Sequence, residues 1–114
     1  MSLYSTYIKR SVTQAFTLAL ENKDNVMLFV KRDDLIHQEV SGNKFRKLKY
    51  NIEKAKTQNC QSIITYGGAY SNHLLAVAAT GLLENIKTIG VVRGDELNQD
   101  SNKLLKRCAE LGME

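Results

Sequence analysis

Three short apolar runs constrain the possible folds of this chain more than any other feature. They are Val26–Val30 (VMLFV), Ser62–Tyr66 (SIITY) and Thr88–Val92 (TIGVV). Each has the length of a strand. Each also reads as a continuous apolar run rather than an alternating one, the pattern of a strand covered on both faces. Between the first two, Phe45, Leu48, Ile52 and Ala55 recur at steps of three and four, which predicts an amphipathic helix from Asn43 to about Gln58. Between the second and third, the segment from Ser71 to Leu83 is rich in Ala and Leu, nearly free of charge, and again helical. A last helix is expected with Asp100 as its cap and Leu104, Leu105, Cys108 and Leu111 on its apolar face. From residue 26 the order is therefore β-α-β-α-β-α. That predicts an α/β fold: an open parallel sheet with helices on both faces, a three-layer α/β/α arrangement. Before it, the stretch from Thr13 to Asn22 has mild helical character.

Three strands make a thin sheet, and Leu111-Gly-Met-Glu114 reads as a helix stop followed by the start of another connection. The pattern predicts a continuation into a longer protein. With 43% hydrophobic and 25% charged residues, the composition is that of a globular protein and not of a disordered tail. No apolar stretch approaches the roughly 18–20 residues of a membrane span. The first residues, MSLYSTYIKRSVTQAF, lack the apolar core of a secretory signal, so a cytoplasmic location is expected. Cys60 and Cys108 have no paired spacing, which predicts reduced thiols and no metal site.

The net charge of +4 concentrates between Lys44 and Lys56. No aromatic residues interleave with it as a base-stacking surface requires, so no nucleic-acid partner is expected. A basic module meeting an acidic partner, or a truncated non-catalytic α/β domain, is the alternative to an enzyme.

In open parallel sheets, ligands bind on the loops that leave the carboxyl ends of the strands. Two loops qualify here. Gly67-Gly68-Ala69-Tyr70-Ser71-Asn72-His73 leads into the second helix, with the glycines allowing a sharp turn and Ser71 suited to the N-cap. It matches neither a Walker pattern nor GxGxxG. Ser41-Gly42-Asn43-Lys44 leads into the first helix, where Lys44, Arg46, Lys47 and Lys49 crowd the end at which the backbone dipole repels cations. That environment disfavours the ammonium form of Lys44, and a neutral amine can attack a carbonyl to form a Schiff base. Together the loops offer an amine, a glycine floor, a hydroxyl, an amide and an imidazole, a set that suits an aldehyde cofactor with a polar ring oxygen. Lys47, on the same helical face as Lys44, could balance a cofactor phosphate. Arg46 and Lys49 read as solvent-facing.

These residues also carry a family resemblance. The blocks LFVKRDDLIHQEVSGNKFRKLKYNI, SIITYGGAYSNHLLAVAATG and TIGVVRGDE, in that order over roughly residues 28–96, resemble the 1-aminocyclopropane-1-carboxylate deaminase and D-cysteine desulfhydrase family. This is a pyridoxal 5'-phosphate-dependent family of the tryptophan-synthase-β-like fold group. The resemblance implies that residues 1–114 are the N-terminal portion of a larger two-domain enzyme. Residues 1–42 would then form an N-terminal segment of the cofactor domain, and 43–114 its β-α-β-α part. It implies a small amino-acid substrate, 1-aminocyclopropane-1-carboxylate or D-cysteine, and a homodimer when complete. The products would be a 2-oxo acid and ammonia, with sulfide from D-cysteine. The reaction class expected is lyase or hydrolase.

Residue by residue, Lys44 matches the lysine that holds the cofactor through its amine. Ser71 matches the active-site serine that contacts substrate, and Asn72 the asparagine that bonds the cofactor's phenolic oxygen. Tyr70 and His73 fall at substrate-contacting positions. Tyr70 stands where members commonly carry Gln, and His73 resembles the desulfhydrase type. Lys31-Arg-Asp-Asp-Leu35 matches a structural block near the site. The phosphate loop and later active-site tyrosines of the family would lie beyond Glu114, so the chain alone is expected to be inactive and to expose apolar surface.

Overall fold

Helix α2, Asn43–Thr57, forms where the three-and-four spacing places it, and it buries Phe45, Leu48, Ile52 and Ala55. The structure is a computed structural model, and it describes residues 3–17 and 23–114. Helix α3, Asn72–Glu84, is almost wholly apolar and has seven buried residues, so it is a core helix and not a surface one. It ends at Asn85, whose left-handed conformation suits a helix C-terminus. Helix α4, Lys103–Glu110, buries Leu105 and Cys108. Its cap is Asn102 and not the expected Asp100: the Asn102 side-chain oxygen accepts the Leu105 N–H at 2.9 Å. The same amide donates to the Ala69 carbonyl at 2.9 Å, which ties the start of α4 to the loop before α3.

Strands β3, Ser62–Gly67, and β4, Lys87–Val92, pair in parallel with Thr65 opposite Gly90. Met113 continues the sheet through a parallel bridge to Thr88. The pleat sends Ile63 and Thr65 to one face with Thr88 and Gly90, and Ile64 and Tyr66 to the other with Val91. Helix α3 packs on both strands and is flanked by α2 and α4. The first face is therefore covered, while Ile64, Tyr66 and Val91 on the second are exposed.

The fold is mixed α/β, but two expectations are corrected. First, the run at Val26–Val30 does not join the parallel sheet. Strand β2, Leu28–Lys31, pairs antiparallel with β1, Thr13–Phe16, in a separate two-stranded ribbon. All four residues of each strand are exposed, so the apolar run was not a sign of two-sided burial. Second, Thr13–Phe16 is strand and not helix, because that pairing takes up its backbone groups. The remainder of that expected helix, residues 18–22, lies outside the described residues.

The core joins the amino-terminal segment to the helices. Helix α1, Leu3–Tyr7, supplies Tyr4, whose ring lies 4.7 Å from that of Phe45, centroid to centroid. Ile36, Val40 and Leu74 are completely buried in the same cluster. The radius of gyration is 17.3 Å, against about 13 Å for a compact domain of this length. The smallest extent is 18 Å, room for one sheet and one layer of helices at about 10 Å per layer. No helix among the described residues is long and apolar enough to cross a membrane.

Candidate functional site

Both loops singled out in the sequence meet at one cleft. Its volume is about 330 Å³, and its lining includes Ser41, Gly42, Asn43 and Lys44 from the first loop, Gln38 and Glu39 just before it, and Asn72 and Leu75 from α3. Lys44 and Asn72 therefore line a common space, although 28 positions separate them in the chain.

The first loop is shaped by Gly42, the N-cap of α2, with φ +58° and ψ −138°. Only glycine enters that region without strain. Its N–H donates to the Asp33 carbonyl at 3.0 Å. The Asp33 carboxylate then binds the next turn: Arg46 donates to it from Nε at 2.5 Å and from its terminal nitrogen at 2.8 Å. The Ser11 hydroxyl donates to the same carboxylate at 2.5 Å. Asp33 thus grips the loop on both sides of Lys44. Arg46 is exposed, in keeping with its reading as solvent-facing, and it is also paired with Asp33. Lys49 is half-buried, with its ammonium 5.2 Å from the Tyr50 ring centroid. Lys56 pairs with Glu84, so the basic helix carries fewer open charges than its sequence suggests.

These hydrogen bonds hold the Asp33 carboxyl at about 2, below its ordinary 3.8, with Arg46 the larger cause and Ser11 the next. A folded value below the unfolded one means that the ionised form stabilises the fold. The contribution is present above 3.8 and is lost as pH falls toward 2. Urea midpoints should drop through that window, and Asp33→Asn should flatten the drop.

The second loop depends on Gly67. A Cβ there would come within 2.8 Å of Leu74 Cγ and 3.0 Å of the Ser71 Cβ and Oγ. At Gly68 a Cβ would meet nothing within 4 Å, so steric contact requires only the first glycine of the pair. Ser71 occupies the N-cap of α3 as expected, but its side chain makes no capping hydrogen bond. Its hydroxyl is therefore not consumed by the helix end.

Tyr70 is 83% exposed. Asn72 and Lys47 are exposed, and Lys47 is not part of the cleft lining. His73 is half-buried, and its Nε2 lies 2.8 Å from the Thr65 hydroxyl. Burial first, then the charges of Lys44 and Lys47, push the His73 pKa below its ordinary value. Both causes favour the neutral imidazole. Sequence reasoning missed Thr65, Asp33 and Asn102 as partners of the two loops. One signal was available for Thr65: it is a polar residue on the inward parity of a strand, and buried polar groups need a partner.

The comparisons with known proteins point one way. A bifunctional D-cysteine desulfhydrase/1-aminocyclopropane-1-carboxylate deaminase of Arabidopsis thaliana, described as mitochondrial, is 37% identical over 75 residues, covering 66% of this chain and 19% of that protein. A putative 1-aminocyclopropane-1-carboxylate deaminase of Thermotoga maritima is 36% identical over 90 residues, covering 79% of this chain and 29% of that protein. A 1-aminocyclopropane-1-carboxylate deaminase of a Bradyrhizobium strain is 38% identical over 76 residues, covering 66% and 22%. By sequence, the chain belongs to this family. The aligned segments span 19–29% of the length of these relatives. No family model and no solved structure matches. One expectation is corrected: deaminases and desulfhydrases of this family are lyases, so hydrolase is withdrawn as a reaction class.

Proposed function

We propose that this chain forms part of the cofactor domain of a pyridoxal 5'-phosphate-dependent lyase acting on a small amino acid. The observation that carries the reading is the shared cleft of Lys44 and Asn72. An amine for covalent attachment and an amide for a ring oxygen are the donors such a cofactor needs. When bound, the cofactor supplies an electron sink for charge that develops on the substrate as its bond breaks. Lys44 Nζ is the attachment point and, when free, the proton acceptor. Asn72 orients the cofactor ring, and Lys47 balances its phosphate. Ser71, with an uncommitted hydroxyl at a helix N-terminus, contacts substrate and stabilises negative charge beside it. His73 and Tyr70 complete the substrate side.

The relatives' names give two substrates, 1-aminocyclopropane-1-carboxylate and D-cysteine. Either would yield a 2-oxo acid and ammonia, with sulfide in addition from D-cysteine. A homodimeric, cytoplasmic enzyme completes the proposal, although the plant relative is described as mitochondrial. The complete protein, supplied with cofactor, should release 2-oxo acid and ammonia from one of these substrates, with sulfide distinguishing D-cysteine. Failure to turn over either amino acid would sink the assignment.

A further inference from the structure

Thr65, which the proposed function leaves unused, is paired with His73. Thr65 lies on the covered face of β3 and is 8% exposed. Among the described residues, its hydroxyl has one hydrogen-bond partner, His73 Nε2 at 2.8 Å. A buried hydroxyl hydrogen without an acceptor is costly, so this hydroxyl donates and Nε2 carries the lone pair. A neutral imidazole with its lone pair on Nε2 has its proton on Nδ1. Partial burial first, then the electrostatic influence of Lys44 and Lys47 of α2, lowers the His73 pKa and so favours the neutral ring.

We infer that Thr65 is a positioning residue that fixes His73 as the Nδ1–H tautomer, so that the imidazole offers a ligand a hydrogen-bond donor and not a base. The ligand class that fits is an acceptor oxygen, such as a carboxylate beside the two lysines. The only lone pair of the ring is committed to Thr65, so His73 cannot take a proton from substrate, and that role falls to Lys44. The tautomer stands on the Thr65–His73 hydrogen bond in a neutral ring, whereas its role toward substrate rests on the function proposed above.

His37 provides an internal contrast. Its Nδ1 accepts the backbone N–H groups of Glu39 and Val40, both at 3.1 Å. Its proton is therefore on Nε2. The chain has two histidines, and they are held in opposite tautomers.

Long-range proton–nitrogen NMR of the chain labelled with 15N-histidine reads this directly, with His73→Gln assigning the signals. The expected result is His73 protonated on Nδ1 and His37 on Nε2. Thr65→Ser should keep the Nδ1–H form. Thr65→Val, of similar size but without the hydroxyl, should move His73 toward the Nε2–H form favoured in water. An Nε2–H ring at His73 in the unaltered chain, or no change in Thr65→Val, overturns the inference. In the complete enzyme, Thr65→Val should raise KM for the amino acid about tenfold with kcat little changed, and Thr65→Ser should restore it. A fall in kcat at constant KM overturns the donor role. If the unaltered enzyme turns over neither amino acid, the proposed function fails while the NMR result still decides the tautomer.

Discussion

Replacing Lys44 by Ala should lower kcat of the complete enzyme by at least about 10³-fold, because proton transfer by a positioned group alone contributes about 10²–10⁴-fold. The visible absorbance of covalently attached cofactor should disappear in the same variant. Lys44→Arg separates charge from chemistry. It keeps a cation at the cleft, but a guanidinium stays protonated and can neither attack a carbonyl nor accept a proton. Lys44→Arg should therefore be as inactive as Lys44→Ala. Recovery of activity with Arg would show that the position supplies only positive charge, and the attachment would then have to lie elsewhere. Lys47→Ala serves as the neighbouring control. It removes a similar charge from the surroundings of His73 without touching the cleft lining, so it should weaken cofactor binding and leave the absorbance band in place at saturation.

The helices were legible in the sequence because their burial is periodic. Phe45, Leu48, Ile52 and Ala55 mark one stripe, and the structure buries the same four residues. The run at residues 26–30 was not legible in the same way. A continuous apolar stretch is compatible with a strand covered on both sides, yet Met27 and Phe29 are 76% and 58% exposed here. Which partner a strand chooses is a non-local property, and nothing in VMLFV distinguishes β1 from β3. The cap of α4 was missed by two positions because Asp100 and Asn102 have similar capping chemistry, and only backbone geometry separates them.

At the site, Lys44 and Asn72 line one cleft, but the rule for parallel sheets accounts only for the second loop, because the strand before the first, β2, pairs with β1 and not with β3 or β4. What stayed hidden were cross-element hydrogen bonds. Asp33 and Arg46 are 13 residues apart across an irregular loop, with no periodicity to relate them. The four cations at the start of α2 looked anomalous because one of their counter-charges lies upstream, in the block Lys31-Arg-Asp-Asp-Leu35.

Phe45→Ala should be the most destabilising single change in the described residues, at about 3–5 kcal/mol, the usual cost of emptying a buried aromatic site. Phe45 is 2% exposed, and it connects α1 to α2 through Tyr4. Tyr4 has little capacity to compensate, since its buried hydroxyl already lacks a hydrogen-bond partner among the described residues. Whole-domain stabilities of roughly 5–15 kcal/mol make a loss of this size close to unfolding. Guanidinium titration should show a much lower midpoint, and Phe45→Leu, which keeps most of the apolar volume, should lose roughly half as much. Lys44→Ala at the adjacent position should change stability by no more than about 0.5 kcal/mol, since its side chain lines a cleft and packs in no core. Two consecutive residues would then separate cleanly: one change removes activity from a folded protein, and the next removes the fold. A large stability loss in Lys44→Ala would mean that its conspicuous position at the head of α2 serves the helix and not a ligand.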